Sequence, residues 1–245
     1  MEVIGVIPAR LNSSRLEKKL LRRLQGKTVL EWTWKAASQA KRLEGLIIAC
    51  DSKEIENEAK GFGAKTIFTS PDHPSGTDRI SEAVSSIDAR VVINIQADEP
   101  LISSSVIDSL ADVMREDKNL SVSTAVKVID DEDEIEDPNI VKVVIDRKEF
   151  ALYFSRAKIP FLRDKGRNPV YYKHLGIYAY TKDFLYIFKN LSPSSLEKAE
   201  RLEQLRILEA GFKIKAVITP FDSWGIDTES DLTKVEKILT EKGYA

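Results

Sequence analysis

The loop behind the first apolar segment carries side chains that could bind phosphate. Val3 to Ile7 is a strand signal, and five polar or cationic residues follow it: Arg10, Ser13, Ser14, Arg15 and Lys19. The planar fork of arginine matches two phosphate oxygens, whereas lysine offers a compact, mobile charge suited to a transferring phosphoryl group. The loop contains neither G-x-x-x-x-G-K-[ST] nor G-x-G-x-x-G, so it is neither a Walker loop nor a dinucleotide fingerprint. A solvated surface turn is the alternative interpretation.

Two aspartates far apart in the sequence are candidates for a magnesium site. Asp98 follows an apolar run, and Asp227 precedes the last predicted helix. Magnesium usually takes one or two carboxylates and completes its shell with water and substrate phosphates. Either aspartate alone could be a turn or capping residue, but the cationic loop favours a site for phosphate and magnesium. Glu99 is an alternative ligand, because residue order does not separate it from Asp98.

Further polar residues lie in segments that could recognise a nucleoside or a sugar. His73 precedes Ser75, Gly76 and Thr77, whose hydroxyl and amide groups at a helix start suit recognition of a base or ribose. A hydrogen-bonded structural role is the alternative for His73. Strand alternation places His174, Gly176 and Tyr178 on one face, and the glycine would leave space there for a ligand. Three more polar side chains occur among apolar neighbours and need partners, which a polyhydroxylated acid would supply: Arg156, Glu203 and Gln204.

Alternating strand and helix signals in the first half predict the scaffold that positions these residues. Such alternation indicates a parallel sheet covered by helices on both faces. The nearly continuous apolar run from Val91 to Gln96 predicts a central strand. Pro8 disfavours helical backbone at Ile7, so we expect the first strand to end there. Ligands of open parallel sheets bind outside the carboxyl ends of the strands, where the cationic loop begins.

The middle of the chain, about residues 121–180, has strand signals without long helices between them and predicts an antiparallel insertion. Its aromatic strands suit either a subunit interface or core packing. The acidic run Asp130 to Asp137 predicts a solvated turn. Beyond it, Ser194 to Glu197 is a capping box that predicts one helix through Ala210, and Thr228 caps a terminal helix. We interpret residues 1–245 as a single domain.

Composition excludes several classes of function. The chain has 245 residues, 37 basic and 39 acidic, and a net charge of −2, so it lacks the basic field that nucleic-acid binding requires. No apolar run reaches the roughly 18 residues of a membrane span, and the N-terminus has no signal pattern. The single cysteine, Cys50, has no partner for an internal disulfide, which fits a reducing compartment. We expect a cytoplasmic protein without membrane insertion.

Eight motifs, in their order along the chain, resemble the 3-deoxy-manno-octulosonate cytidylyltransferase (CMP-Kdo synthetase) family. They span the sequence: I-P-A-R-x-x-S-x-R from Ile7 with Lys19 after it, D-H-P-S-G-T-D-R from Asp72, I-Q-A-D-E-P from Ile95, P-N-I-V-K-V-V from Pro138, L-Y-F-S-R from Leu152, H-L-G-I-Y from His174, L-E-Q-L-R from Leu202 and G-I-D-T from Gly225. One departure is visible, since Leu16 to Leu20 reads L-E-K-K-L where the family usually has L-P-G-K-P. Lys19 still matches the family lysine.

The resemblance implies a Rossmann-like α/β sheet of the nucleotide-diphospho-sugar transferase type and transfer of CMP from CTP to the anomeric hydroxyl of Kdo, for lipopolysaccharide biosynthesis. It implies Mg²⁺ held by Asp98 and Asp227, and a homodimer through the insertion. The implied catalytic residues are Arg10, Arg15, Lys19 and Asp98. The nucleotide would contact Ala9, Arg10, Ser13, Arg15, Lys19, Ser75, Gly76, Thr77 and Arg79, with cytosine near Ala9, Ser75 and Arg79. The sugar acid would contact Gln96, Arg156, His174, Tyr178, Glu203 and Gln204, with its carboxylate on Arg156.

The sequence alone leaves two other functions open. A CMP-transferase for another sugar acid, such as sialic acid, resembles this chain in the first loop, but those enzymes typically have S-K-G in place of Ser14 to Leu16 and lack the L-Y-F-S-R run. A non-catalytic nucleotide sensor or assembly protein could use the same fold, because a fold alone does not determine function.

Overall fold

A twisted, mostly parallel sheet forms the centre of the computed structural model, which describes residues 1–13, 15–164 and 169–241. The strands are β1 (Val3–Ala9), β2 (Arg23–Leu24), β3 (Lys27–Thr28), β4 (Gly45–Cys50), β5 (Lys65–Phe68), β6 (Val91–Asn94), β7 (Val122–Val128), β8 (Lys142–Ile145), β9 (Ala151–Ser155), β10 (Tyr172–Thr181) and β11 (Lys215–Ile218). The helices are α1 (Val29–Ala37), α2 (Lys53–Gly61), α3 (Gly76–Ala83), α4 (Ser104–Glu116), α5 (Glu132–Glu136), α6 (Lys182–Asn190), α7 (Ser195–Glu200), α8 (Gln204–Glu209) and α9 (Glu229–Glu241). A 3₁₀ turn covers Lys19–Leu21.

The strand order across the main sheet is β11-β7-β10-β6-β1-β4-β5. Strands β6, β1, β4 and β5 are mutually parallel, and β11 is parallel to β7. Strand β10 lies between β6 and β7 and is antiparallel to both. The β8–β9 hairpin continues from β10. The predicted α/β class with a mostly parallel sheet is therefore confirmed, whereas β7 and β10 of the predicted insertion are integral to the sheet.

Both faces of the sheet are covered, as the apolar runs predict. Side chains alternate along β1, so that Val3 and Ile7 pack with α1, α2, α4 and α9 in one core cluster. Ile4 and Val6 pack with α3, α6 and α8 in a second cluster on the opposite face. All four residues of β6 are buried, as expected of a central strand covered on both faces. None of the helices in the described part of the chain could span a bilayer.

The chain reverses its direction of travel across the sheet beside β1. It passes from β1 to β4 and β5 on one side, then returns to place β6 on the other side. Such a switch point opens a crevice at the carboxyl ends of the two central strands. The amide of Ile95 donates to the carbonyl of Val6, so alternate residues of β1, including Pro8, direct their backbone polar groups toward β6. Pairing with β6 ends at Val6, two residues before this proline.

Three sequence predictions about these elements need correction. Strand β1 continues through Pro8 to Ala9 because pairing with β4 persists there and leaves the missing proline amide on the unpaired side. The acidic run is solvated as predicted, but it forms the short helix α5, whose first turn is capped by the Asp131 side chain. The helix predicted from Ser194 to Ala210 is two helices, because Arg201 adopts a left-handed conformation with φ of 54°.

Candidate active site

A cavity of about 270 Å³ opens at the carboxyl ends of β1 and β6. Its walls come from the loop after β1, the start of α3 and the segment after β6, which is the position expected at a switch point. The lining residues are Pro8, Arg10, Ser13, Lys19, Leu20, His73, Pro74, Ser75, Gly76, Arg79, Gln96, Ala97 and Asp98. Candidate residues from three separate sequence motifs therefore share one cavity: Arg10, Ser13, Lys19, His73, Ser75, Gly76, Arg79, Gln96 and Asp98.

Lys19 joins the two predicted magnesium ligands. Its Nζ lies 2.5 Å from Oδ2 of Asp98 and 2.9 Å from Oδ1 of Asp227. The guanidinium of Arg15 lies 3.1 Å from Oδ2 of Asp227 and is mostly exposed. Positive groups from the start of the chain and two distant carboxylates therefore meet at one point. Ser14, the remaining hydroxyl of the loop, lies outside the described residues.

Opposing effects act on the Lys19 ammonium group. Burial alone lowers its pKa, since a charged group loses hydration there. The negative charge of Asp98 and the hydrogen bonds to Asp98 and Asp227 outweigh this effect, and the pKa of Lys19 is raised. The group is therefore a permanent cation at neutral pH, and it cannot act as a proton acceptor in this arrangement.

The donor set of the two aspartates suits a divalent cation. Both carboxylates contact one ammonium nitrogen, so the two acidic side chains converge on one point. Carboxylate oxygens are the protein ligands that Mg²⁺ prefers. Among the described residues, His, Cys, Asp and Glu form no group of three or more with metal-binding geometry. A magnesium ion held here would take its other ligands from water and substrate phosphates.

The structure separates Asp98 from its neighbour Glu99. Asp98 lines the cavity and pairs with Lys19, whereas Glu99 is buried and its Oε2 has no hydrogen-bond partner among the described residues. Burial raises the pKa of the Glu99 carboxyl to about 7, and a hydrogen bond with Ser223 opposes that shift. A Cβ at Gly176 would lie 3.3 Å from Oε1 of Glu99. The space beside this glycine is therefore occupied by protein side chains, contrary to the expectation that a ligand fills it.

The start of α3 contributes to two different parts of the site. Ser75 caps the helix by accepting a hydrogen bond from the Asp78 amide, and Ser75 and Gly76 line the cavity. Thr77 is buried, and its hydroxyl donates to Oε2 of Glu203 at 3.0 Å. The Thr77 side chain is thus directed toward a predicted sugar-acid residue, and it is not among the residues that line the cavity. Ala9 is likewise fully buried and outside the cavity lining.

Asp51 belongs to this region although no sequence motif selects it. Its Oδ2 pairs with the buried guanidinium of Arg79 at 3.1 Å, and its Oδ1 accepts the backbone amide of Leu11 at 3.0 Å. Arg79 also donates to the Thr69 hydroxyl at 2.6 Å. Asp51 therefore anchors both the cytosine candidate Arg79 and the loop that carries Arg10. Asp51 could have been identified from its position directly after β4, at the carboxyl edge of the sheet, where ligands of such sheets bind.

His73 lines the cavity and contacts the Glu82 carboxylate through Nε2. The hydrogen bond to His73 lowers the pKa of Glu82. The position of His73 is therefore consistent both with a structural role and with contact to a nucleotide bound in the cavity.

Four of the predicted sugar-acid residues lie on β10 or at the start of α8, a cluster made of His174, Tyr178, Glu203 and Gln204. Tyr178 is buried, and its hydroxyl has no hydrogen-bond partner among the described residues. The ring centroid of His174 lies 5.3 Å from that of Tyr178. Burial raises the pKa of Glu203, and the hydrogen bond from Thr77 opposes that rise. Gln204 is buried, and Gln96 donates from Nε2 to the Gly176 carbonyl at 3.1 Å.

Arg156 stands apart from this cluster in its contacts. Its Nε donates to the Glu200 carbonyl at 2.9 Å and one terminal nitrogen donates to the Pro138 carbonyl at 3.0 Å. Its backbone amide donates to the Glu200 carboxylate at 3.0 Å. Binding of a substrate carboxylate would use the remaining guanidinium hydrogens, so its predicted role stays a prediction.

Comparison with known proteins gives a consistent family. The cytidylyltransferase family model matches residues 4–214. The 3-deoxy-manno-octulosonate cytidylyltransferase of Chloroherpeton thalassium is 46% identical over 244 residues, covering 99% of each chain. The enzyme of that name from Solibacter usitatus is 43% identical over 238 residues, covering 97% of this chain and 94% of its own. A solved structure of CMP:2-keto-3-deoxy-manno-octonic acid synthetase complexed with CTP has a TM-score of 0.94 and 37% identity, covering 99% of this chain and all of that one.

Proposed function

This chain belongs to the cytidylyltransferase family, and we propose that it transfers CMP from CTP to the anomeric hydroxyl of 3-deoxy-manno-octulosonate (Kdo), releasing pyrophosphate. It is a nucleotidyltransferase whose product, CMP-Kdo, serves lipopolysaccharide biosynthesis. The relatives that carry the Kdo-specific name match it over nearly their whole length. The observation on which the proposal depends most is the meeting of Lys19, Asp98 and Asp227 beside the switch-point cavity.

Charge explains the roles that we assign around the triphosphate. Arg10, Arg15 and Lys19 balance negative charge on the α-phosphate and on the leaving pyrophosphate. Arginine forks hold non-reacting oxygens, whereas the compact Lys19 ammonium follows charge as it moves. Transfer of this kind depends mainly on positioning and electrostatics, so no covalent protein intermediate is required. Ser13, Ser75 and Gly76 contribute polar groups to the nucleotide wall of the cavity.

Magnesium is part of this proposal. Asp98 and Asp227 would hold it, since their carboxylates already share the Lys19 cation. The metal would neutralise charge on the triphosphate and lower the pKa of the attacking sugar hydroxyl. Lys19 would then remain beside both carboxylates to offset the charge of the departing pyrophosphate.

Binding of the sugar acid is assigned to the cluster on β10 and α8. The buried, unpartnered hydroxyl of Tyr178 supports this assignment, because buried polar atoms generally have partners. A polyhydroxylated ligand would supply one. His174, Glu203, Gln204 and Gln96 complete the group that contacts the hydroxyls, with Arg156 assigned to the carboxylate.

The decisive assay incubates the protein with CTP, MgCl₂ and either Kdo or sialic acid and measures pyrophosphate release. Turnover with Kdo alone is expected. Turnover with sialic acid alone would replace the substrate, and CTP binding without turnover on either acid would favour the non-catalytic sensor. An Asp98→Ala variant that keeps full biological function would also favour the sensor.

A homodimer in the cytoplasm is the remaining part of the proposal. The β8–β9 region and the segments flanking residues 165–168 expose apolar side chains that a partner subunit would cover: Leu152, Phe161, Leu162 and Val170. Phe161 is 84% exposed, which is costly for a large aromatic side chain in water. The free, buried Cys50 fits a reducing compartment. Light scattering that detects only monomer would contradict the dimer.

A further inference from the structure

Thr124, in the middle of β7, makes an unusual set of contacts for a buried hydroxyl. Its Oγ1 lies 2.9 Å from Nε2 of His174, 2.8 Å from the Ile177 carbonyl and 3.4 Å from the Leu175 carbonyl. The residue is fully buried. A register shift between Leu175 and Tyr178 in the β7–β10 pairing lies beside these carbonyls. The hydroxyl is thus surrounded by two obligate acceptors and one imidazole nitrogen.

The number of hydrogen atoms on these groups determines which group donates in each hydrogen bond. A threonine hydroxyl has one hydrogen, and carbonyl oxygens can only accept. The hydrogen therefore belongs on the short bond to the Ile177 carbonyl. The hydroxyl oxygen then has only lone pairs to offer the ring, so Nε2 of His174 must carry a hydrogen and donate it to Thr124.

The second ring nitrogen is left without a proton. Burial lowers the pKa of the His174 imidazole to about 3, so the ring is neutral near pH 7. The groups that face it are the Thr124 hydroxyl from β7, the Phe154 ring from β9 at 5.0 Å and the Tyr178 ring from β10. Nδ1 has no hydrogen-bond partner among the described residues, and His174 keeps partial solvent exposure.

We propose that Thr124 is a positioning residue that fixes His174 in the Nε2–H tautomer, so that Nδ1 is an acceptor reserved for a hydroxyl of the sugar acid. The identity of that ligand rests on the proposed function, whereas the tautomer does not. In this tautomer the neutral ring accepts a hydrogen bond from a ligand hydroxyl through Nδ1, and it cannot donate a hydrogen bond from Nδ1 to a carboxylate. The site therefore distinguishes a hydroxyl at that position from a deoxy or O-methyl group, which cannot donate.

Nitrogen NMR of the ¹⁵N-histidine-labelled protein tests the tautomer without substrate. The chain has two histidines, and the signals that disappear in His174→Gln assign this ring. The wild-type protein and Thr124→Ser are expected to show a protonated Nε2 and an unprotonated Nδ1 between pH 5 and 8. Thr124→Val, which keeps the side-chain shape, is expected to lose the single tautomer. A protonated Nδ1 in the wild type, or an unchanged spectrum in Thr124→Val, would overturn the inference.

Steady-state kinetics test the consequence for the substrate. Thr124→Val is expected to raise KM for Kdo about 3- to 10-fold, the range of one hydrogen bond, with KM for CTP unchanged. Thr124→Ser is expected to restore the wild-type value, which separates loss of the hydroxyl from general damage to β7. Equal increases for both substrates would overturn the positioning role. A wild-type spectrum with Nε2–H but no turnover of Kdo would refute the proposed function and leave the tautomer intact.

Discussion

The Nζ atom of Lys19 lies 2.5 Å from Oδ2 of Asp98, a residue 79 positions further along the chain. This pairing places a buried cation at the edge of the cavity where the triphosphate is proposed to bind. We expect Lys19→Met to reduce kcat by about 10² to 10³, similar to the loss of one preorganised donor at other transition states. Lys18→Met is the control, because Lys18 is largely exposed and pairs with Glu54. Equal activity of the two variants would contradict the role of Lys19.

We expect activity to require a divalent cation. Excess EDTA should stop pyrophosphate release and added MgCl₂ should restore it, because two carboxylates and a triphosphate together form a suitable magnesium shell. Asp98→Asn is expected to lower kcat at least about 10²-fold even at high MgCl₂. Asp88→Asn, at an exposed position, should be unaffected. Full turnover in excess chelator would rule out the proposed two-aspartate site.

Lys18 has a left-handed backbone, with φ of 47°, at the position where the family pattern has glycine. This conformation costs a non-glycine residue about 1 to 2 kcal/mol. We expect Lys18→Gly to raise the free energy of unfolding by about 1 kcal/mol, since the exposed ion pair with Glu54 contributes little. Lys18→Ala, which keeps the strain and loses the ion pair, should not stabilise the protein. Thermal unfolding of all three proteins measures the difference, and a less stable glycine variant would contradict the strain.

The largely buried His174 makes stability depend on acid pH. Its pKa is lowered by burial from the ordinary 6.5 to about 3. Between these values the unfolded chain binds more protons than the folded one, so stability falls as the pH drops below 6.5. We expect the stability advantage of the wild type over His174→Gln to shrink by about 1 to 2 kcal/mol between pH 7.5 and pH 5. Denaturant unfolding at both pH values measures this, and an advantage that is constant with pH would refute it.

Thr77 should act on the sugar acid and not on the nucleotide. Its hydroxyl donates to Glu203, which orients that carboxylate and favours its ionised form. We expect Thr77→Val to raise KM for Kdo about 3- to 10-fold while KM for CTP stays within about twofold. Thr77→Ser keeps the hydroxyl and is the matched control. A selective increase in KM for CTP would instead support the nucleotide contact that the family motif implies.

Local patterns predicted most of the elements because their causes lie within a few residues. The apolar runs indicated β1 and β6, and the capping box of Ser194 and Glu197 opens α7 as its spacing indicates. The break between α7 and α8 was missed, since the left-handed Arg201 follows Glu200, whose carboxylate binds Ser155 across 45 residues. A contact between residues so far apart in the sequence does not alter the apolar periodicity of either segment.

In the candidate site, too, some features follow from local sequence and others depend on contacts between distant residues. Residue types beside predicted strands and helices selected the cationic loop and both aspartates, and the structure brings Lys19, Asp98 and Asp227 together. Only three-dimensional contacts distinguish Asp98 from Glu99, direct Thr77 toward Glu203, or show that Asp51 anchors Arg79. Adjacent residues on an irregular segment can point in different directions, and sequence spacing does not specify which one reaches a cavity.

Pro8 has a consequence for the shape of the crevice between β1 and β6. Its backbone nitrogen is on the side of β1 that faces β6, two residues beyond their last pairing, and it has no hydrogen to offer. The residues after Asn94 therefore find no backbone N–H donor at Pro8, and the pairing of β6 with β1 does not continue beyond this point. The missing proline N–H thus keeps the ends of β1 and β6 unpaired, and this leaves open the gap through which a triphosphate would enter.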